Sequence, residues 1–448
     1  MTESLTARRV SVIGLGKLGA PIAACYAYKG HRVIGVDSNP DVVRLVNEGR
    51  APVFEPGLQE MLGECRGRLW ATVDCEKAVA DSQISIVIVP TPSDDDGKFS
   101  LRYVLQACGR IGAALRGRAD YHVVVVNSTV LPGATEGEIK PALERASGKR
   151  CGRDFGLCYS PEFVALGGVI SNLQTPDFIL IGESDPRAGD ELARLIRTVC
   201  DNDPPVARMN IVNAEIAKLS VNTFITMKIT FANMLARICE RLPDADVDVV
   251  THALGLDSRI GRKCLQGALG YGGPCFPRDN LAMSHLARGL GVSPTLAEAT
   301  DAANRSQVSF LVEVVKSRLP AAGTVGILGL AYKPGTDVTE ESQGLALAQV
   351  LLELGISVVT YDPAALDSAR CSLTGPVTFA SSLAECCRNV DVLVIMTAWE
   401  EFSRITPTDF DGRRRPVIID CWRILDPARF SERAEYVALG IGRYHSRL

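Results

Sequence analysis

The sequence predicts an α/β protein with two doubly wound parallel-sheet domains joined by a central all-α domain that contains one long helix. Three observations carry this. Short β-branched runs alternate with amphipathic segments over the first 205 residues, the same alternation returns after residue 319, and the chain between is helical in pattern. The division is therefore 1–205, 206–318 and 319–448, close to the ~150 residues of an ordinary domain.

Each element has a local reason. Strands are read at residues 10–13, 32–36, 84–89, 122–127 and 178–181, each a short run rich in Val and Ile with helical spacing on either side. Asp203-Pro204-Pro205 marks the break that closes the first domain. Residues 212–242 then run without Pro or Gly, a helix long enough to bridge domains or pack on a second subunit. Helical segments continue to about residue 318, interrupted only by the glycine-rich stretch 267–273. Strands at 324–328, 357–361, 392–396 and 417–420 form the second sheet.

Composition narrows the function. Lys and Arg number 48 against 52 Asp and Glu, and the densest cationic run, Arg413-Arg414-Arg415, is too short to argue for a nucleic-acid partner. No apolar run approaches the ~18 residues of a membrane span, and the opening MTESLTARRV has no apolar signal core, so a cytoplasmic protein with a small-molecule partner is expected. Fourteen cysteines occur without a CxxC pair, which reads as free thiols rather than a disulfide frame or a metal site.

The strand at 10–13 runs into Gly14-Leu15-Gly16-Lys17-Leu18-Gly19. The glycines serve a tight turn, close approach of backbone to a pyrophosphate, and helix–strand packing, as in a Rossmann-like dinucleotide site. The next strand ends at Asp37, where a carboxylate accepts from a ribose 2′-hydroxyl and repels a 2′-phosphate, so NAD is favoured over NADP. The second sheet opens with Gly326-Ile327-Leu328-Gly329-Leu330-Ala331, which lacks the third glycine. That turn either binds a nucleotide differently or serves as scaffold.

One cysteine stands apart. In Gly270-Tyr271-Gly272-Gly273-Pro274-Cys275-Phe276-Pro277-Arg278-Asp279 the glycines allow close approach of a ligand, the prolines stiffen the loop, and Arg278 favours a thiolate. The other thirteen cysteines read as small core residues.

This loop resembles that of the nucleotide-sugar 6-dehydrogenases, the UDP-glucose and GDP-mannose dehydrogenase family. Further motifs follow in the family's order over nearly the whole chain: Thr91-Pro92, Asn127-Ser128-Thr129-Val130, Ser160-Pro161-Glu162-Phe163, Ala214 to Asn222, Tyr332-Lys333-Pro334 and Asp420-Cys421-Trp422-Arg423. The resemblance implies two NAD-dependent oxidations at C6 of a nucleotide-linked hexose, most readily UDP-glucose. It implies Cys275 as nucleophile, Lys218 and Asn222 beside the reacting oxygen, Asp279 as a base through water, and Glu162 and Thr129 activating or positioning water. Cofactor contacts are implied at Thr91, Pro92, Ser128 and Arg278, beside the turn 14–19 and Asp37. Substrate contacts are implied at Phe163, Val164, Arg259, Tyr271, Gly272, Gly273, Phe276, Lys333 and Arg423. The arginine matching Arg259 reaches a neighbouring subunit in the family, which implies at least a dimer.

Three positions depart from the pattern. Leu166 replaces an acid, Glu340 replaces an arginine, and Arg278 replaces a lysine. GDP-mannose or another nucleotide hexose is the alternative substrate. A once-oxidising β-hydroxyacid dehydrogenase would need neither Cys275 nor residues 320–448. A non-catalytic nucleotide-sugar scaffold would have no use for a thiolate.

Overall fold

A computed structural model describes residues 7–94, 96–388, 390–410 and 415–442, so Arg413 and Arg414 of the cationic run lie outside the described residues. The chain divides into two compact units, Met1–Ser220 and Val221–Leu448, with the boundary inside the helix Ile211–Cys239.

The first unit holds an eight-stranded sheet. Its strands are β1 (Arg9–Ile13), β2 (Arg32–Val36), β3 (Leu69–Thr72), β4 (Ile84–Val87), β5 (Val123–Val126), β6 (Gly156–Tyr159), β7 (Ile179–Glu183) and β8 (Val206–Met209), in the order β3-β2-β1-β4-β5-β6-β7-β8. Strands β4, β5 and β6 are buried at every position, because helices cover both faces of a parallel sheet and leave no polar side.

Two features depart from expectation. β7 pairs antiparallel with β6, since the connection between them carries only the short helix Val169–Gln174 and no full crossover is needed. The sheet also continues past Asp203-Pro204-Pro205. β8 begins at the next residue and pairs parallel with β7, the prolines standing at the start of an edge strand where a missing N–H costs nothing.

The second unit begins with helices Val247–Leu256, Phe276–Gly289 and Thr295–Lys316 after the remainder of Ile211–Cys239. The interruption before Cys275 is wider than the glycine stretch alone, covering residues 257–275. Six parallel strands follow: β9 (Thr324–Leu328), β10 (Ser357–Tyr361), β11 (Val377–Phe379), β12 (Val392–Ile395), β13 (Val417–Asp420) and β14 (Glu435–Ala438), in the order β11-β10-β9-β12-β13-β14. This is the doubly wound dinucleotide-fold order.

The second sheet does have its third glycine. Gly14 and Gly329 share a left-handed φ of 101° and 102°, and each donates its N–H to the last residue of the neighbouring strand, Val36 and Tyr361. A Cβ at Gly19 would collide with the Gly14 carbonyl, and a Cβ at Gly344 would collide with the Gly329 carbonyl in the same way. Gly344 is thus the counterpart of Gly19, displaced along the chain by the inserted segment 332–342. The turn is already filled from within. Asp362 is buried and accepts from the N–H groups of Leu330, Ala331, Ala364 and Ala365 at 2.8–2.9 Å, which occupies its acceptor sites and leaves none for a ribose. A nucleotide at this turn would therefore be held differently from one at Asp37, not through a ribose on Asp362.

Candidate active site

The turn after β1 assigns each glycine a separate task. Gly14 takes the left-handed φ, and a Cβ there would strike the Ile88 carbonyl. Gly19 lets the helix Gly19–Tyr28 close onto the turn. Gly16 alone faces open space, with no atom within 4 Å of a Cβ placed on it. An anion brought to this helix N-terminus therefore meets Gly16. Asp37 directly follows β2, with one oxygen accepting the Leu15 N–H at 2.9 Å and the other the Asn39 N–H at 2.9 Å. Leu15 itself is buried, its side chain packed over Gly35, whereas Lys17 is exposed and Leu18 precedes the helix.

This predicts a separation of effects. Gly16→Val should leave the melting temperature unchanged, because the new side chain enters open space without backbone strain. It should weaken NAD binding at least about tenfold, ~1.4 kcal/mol, by occupying the path of the pyrophosphate. Calorimetric titration with NAD beside a thermal melt checks both halves.

Further along the sheet, the Thr91 hydroxyl donates to the Thr129 carbonyl at 2.9 Å, joining the loops after β4 and β5. Pro92 is exposed beside it. The Ser128 hydroxyl donates to the Val89 carbonyl at 2.8 Å and accepts the Val89 N–H, so its side chain ties together the segments that follow β4 and β5.

Glu162 stands just past β6. Asn127 donates to its carboxylate at 3.1 Å and to the Ser160 carbonyl at 2.7 Å, while Lys218 donates to the Glu162 main-chain oxygen at 2.7 Å. Burial pushes the Glu162 carboxyl above its ordinary range, and the Asn127 bond and the Lys218 charge pull it partway back. The Lys218 ammonium also lies 4.6 Å over the Phe163 ring, which stacks on Phe178. Glu162, Phe163 and Lys218 are thus brought together. Val164 and Leu166 are half-buried in the same loop.

Buried Glu55 and Glu215 were invisible to sequence reasoning. Glu55 accepts the N–H groups of Gly167 and Val169, and Glu215 those of Gly133 and Thr135. Each fixes a loop that carries candidate residues.

In the second unit, Cys275 is exposed and immediately precedes the 14-residue helix Phe276–Gly289. The positive end of that helix favours negative charge placed on its sulfur, whereas the Arg278 guanidinium lies beside Asp279. One turn on, Asp279 is buried and accepts from Asn222 at 2.6 Å, with Arg278 at 3.4 Å from its other oxygen. Lys218 and Asn222 lie one turn apart on one helix, as their spacing requires. Among the other cysteines, Cys264 and Cys371 are exposed, against the expectation that all thirteen are core; Cys151 and Cys200 are partly buried and the rest buried, with all fourteen free.

Several predicted substrate contacts are spent on the protein. Tyr271 is buried, its hydroxyl donating to Asp301 at 2.5 Å and accepting from Asn280 at 2.9 Å. The Gly273 N–H donates to the Glu340 carbonyl at 3.0 Å, and a Cβ at Gly272 would collide with the Glu341 carbonyl. The space a side chain would take at these loop glycines is therefore filled by neighbouring protein. Phe276 is half-buried, edge-on to Tyr271.

Arg423 uses all five of its side-chain N–H groups on Asp248, Gly267, Leu439 and Cys421, which makes it a tie between segments of this unit rather than a free substrate contact. Arg259 is the opposite case. Its side chain is 87% exposed and held outward by a two-pronged bond to Asp257. Lys333 lies partly exposed 6.0 Å from the Tyr332 ring. Glu340 turns an exposed side chain outward while its backbone holds the cysteine loop.

Comparison with known proteins agrees with this layout. Residues 8–200 match the NAD binding domain of the UDP-glucose/GDP-mannose dehydrogenase family, 212–306 its central domain and 326–427 its UDP binding domain. The chain is 38% identical over 420 residues to the UDP-glucose 6-dehydrogenase of Haloferax volcanii, covering 93% of this chain and 97% of that one. It is 36% identical over 361 residues to the GDP-mannose 6-dehydrogenase of Pseudomonas aeruginosa, covering 79% and 81%. The solved UDP-glucose dehydrogenase of the archaeon Pyrobaculum islandicum superposes with a TM-score of 0.88 at 34% identity, covering 98% and 99%. The turn at Gly16 and the pinned cysteine loop are therefore features of a chain that belongs to the UDP-glucose/GDP-mannose dehydrogenase family.

Proposed function

We propose that this protein oxidises C6 of a nucleotide-linked hexose twice, alcohol to aldehyde to carboxylate, with UDP-glucose as substrate and UDP-glucuronate as product. The observation that carries the reading is Cys275, an exposed thiol at a helix N-terminus with buried Asp279 one turn behind it. The open face of Gly16 fits a dinucleotide; the turn from Gly14 to Gly19 and Asp37 would hold NAD, which would supply the hydride acceptor for each oxidation.

The protein's own groups then divide the work. Lys218 stabilises negative charge developing on the C6 oxygen, with Asn222 one turn away and Asp279 accepting the hydroxyl proton through water. The Cys275 thiolate adds to the aldehyde carbon, forming a thiohemiacetal. Loss of a second hydride from its carbon, with the hydroxyl proton passing to water, turns this into a thioester. Water deprotonated by Glu162, with Thr129 positioning it, attacks the thioester, and the carboxylate product leaves as the thiolate is restored.

Phe163 and Lys333 supply substrate contacts, and Arg259 extends toward a neighbouring subunit. A homodimer is supported by the exposed stripe Phe224, Phe231, Met234 and Ile238 along the helix Ile211–Cys239. A thiol nucleophile among fourteen free cysteines suits a reducing compartment, so we place the protein in the cytoplasm. Among the described residues no helix is long and apolar enough to cross a membrane.

UDP-glucose is favoured over GDP-mannose because the UDP-glucose relative matches across more of the chain. Pro274 stands where UDP-N-acetylmannosamine enzymes usually carry His. The test is NADH absorbance followed to completion with a panel of UDP- and GDP-hexoses. Two NADH per UDP-glucose are expected. Turnover of another sugar alone would move the substrate, with Leu166 the first position to change, and one NADH per sugar would point to a single-step dehydrogenase.

A further inference from the structure

The segment leading to Cys275 has no strand or helix of its own, yet its backbone is held almost residue by residue. Asn233, buried on the helix Ile211–Cys239, accepts the Ala268 N–H at 2.8 Å and donates to the Leu269 carbonyl at 2.7 Å. Asn304, buried on the helix Thr295–Lys316, accepts the Tyr271 N–H at 2.8 Å and donates to the Tyr271 carbonyl at 2.9 Å. A primary amide carries one acceptor and two donors in a single plane, so each asparagine substitutes for a neighbouring strand. Arg423 donates to the Gly267 carbonyl at 2.7 Å, and the Glu340 carbonyl receives the Gly273 N–H.

The glycines exist to admit these clamps. A Cβ at Gly270 would lie 2.5 Å from the Asn304 oxygen, and one at Gly267 would lie 2.6 Å from the Ala232 carbonyl. Strain gathers at the same place. Glu341 and Arg423 are two of five non-glycine residues among those described with positive φ, at 51° and 58°, and both adjoin this loop.

We propose that Asn304, assisted by Asn233, is a positioning residue for Cys275: the paired amide clamp, with the Glu340 carbonyl behind it, sets where the thiol stands when it meets the aldehyde. The inference rests on the proposed two-step oxidation, and it adds that the clamp serves the second step. Losing it frees the loop between Gly267 and Pro274, and misplacement of a nucleophile by about 1 Å costs on the order of a hundredfold in rate. The first oxidation does not use the thiol.

The test uses the full-length protein with Asn304→Ala and the milder Asn304→Ser, each beside wild type. The readouts are NADH per UDP-glucose at completion, aldehyde captured with a hydrazine, the alkylation rate of Cys275 resolved by peptide mass spectrometry, and thermal melting. Expected are NADH yields below two per sugar, captured aldehyde, a 10–100-fold slower second oxidation and an altered Cys275 alkylation rate, with NAD affinity unchanged. A uniform loss of both oxidations that tracks melting would overturn the proposal, as would two NADH per sugar at the wild-type rate in a folded variant. If wild type oxidises no sugar, the two-step reading fails by itself. Alkylation of Cys275 still decides the clamp in that case, since equal rates in variant and wild type refute it.

Discussion

Cys275→Ser is expected to stop the reaction after one hydride. With UDP-glucose and excess NAD, NADH should rise to at most one per sugar and turnover should fall at least about a thousandfold, ~4 kcal/mol of barrier. An aldehyde cannot readily give up a hydride until a nucleophile has added to it, and a serine hydroxyl at neutral pH lacks the anionic form that the thiol attains. The helix N-terminus favours that anion for sulfur but cannot ionise an unassisted alcohol. Folding should be untouched, because Cys275 is exposed and its side chain caps nothing in the helix that follows. A melting curve superimposable on wild type is therefore part of the prediction. Two NADH per sugar from the serine variant would remove the thioester from the mechanism.

How much of this was legible in sequence depends on the range over which each residue acts. The Gly14–Gly19 turn and Asp37 are local, and a strand, three glycines and an acid in register specify them. Cys275 was legible through its neighbours, and the helix that begins beside it through the helical pattern that resumes after residue 273. Gly344 was hidden because the inserted segment 332–342 separates it from the turn it completes. β8 and β14 are short and only partly buried, so the continuous apolar run that marks a parallel strand is missing.

The clamp was hidden for another reason. Asn233 and Asn304 each read as one polar residue on a helix face, and only the tertiary structure reveals that both are buried against the same loop. For the same reason the loop glycines suggested approach of a ligand, when the atoms approaching them belong to Glu341, Tyr332 and Asn304. The resemblance implies Arg423 as a substrate contact, and nothing in its motif signals the two-pronged bond to Asp248.

The second large effect belongs to Glu162, where activity and stability are set against each other. Its carboxyl is raised from 4.5 by burial, with the Asn127 hydrogen bond and Lys218 opposing. A carboxyl whose folded value exceeds its unfolded value binds its proton more tightly in the fold. Stability is therefore lost as pH rises from the unfolded value through the folded one, and the ionised base is held at a cost at neutral pH. Glu162→Gln removes that cost while keeping an oxygen for Asn127. The variant should melt higher than wild type at pH 8 and indistinguishably from it at pH 4, where the carboxyl is mostly protonated in either state. Activity should move the other way. Without a base for water, thioester hydrolysis should slow by about 10²–10⁴, so that sugar accumulates covalently on Cys275 and appears in the intact mass. In wild type, kcat should fall on the acid side at a pH above the ordinary glutamate value, and that limb should vanish in the variant. A variant that gains no stability at pH 8 and accumulates no adduct would show that Glu162 is a neutral loop anchor, and the base would have to be sought elsewhere.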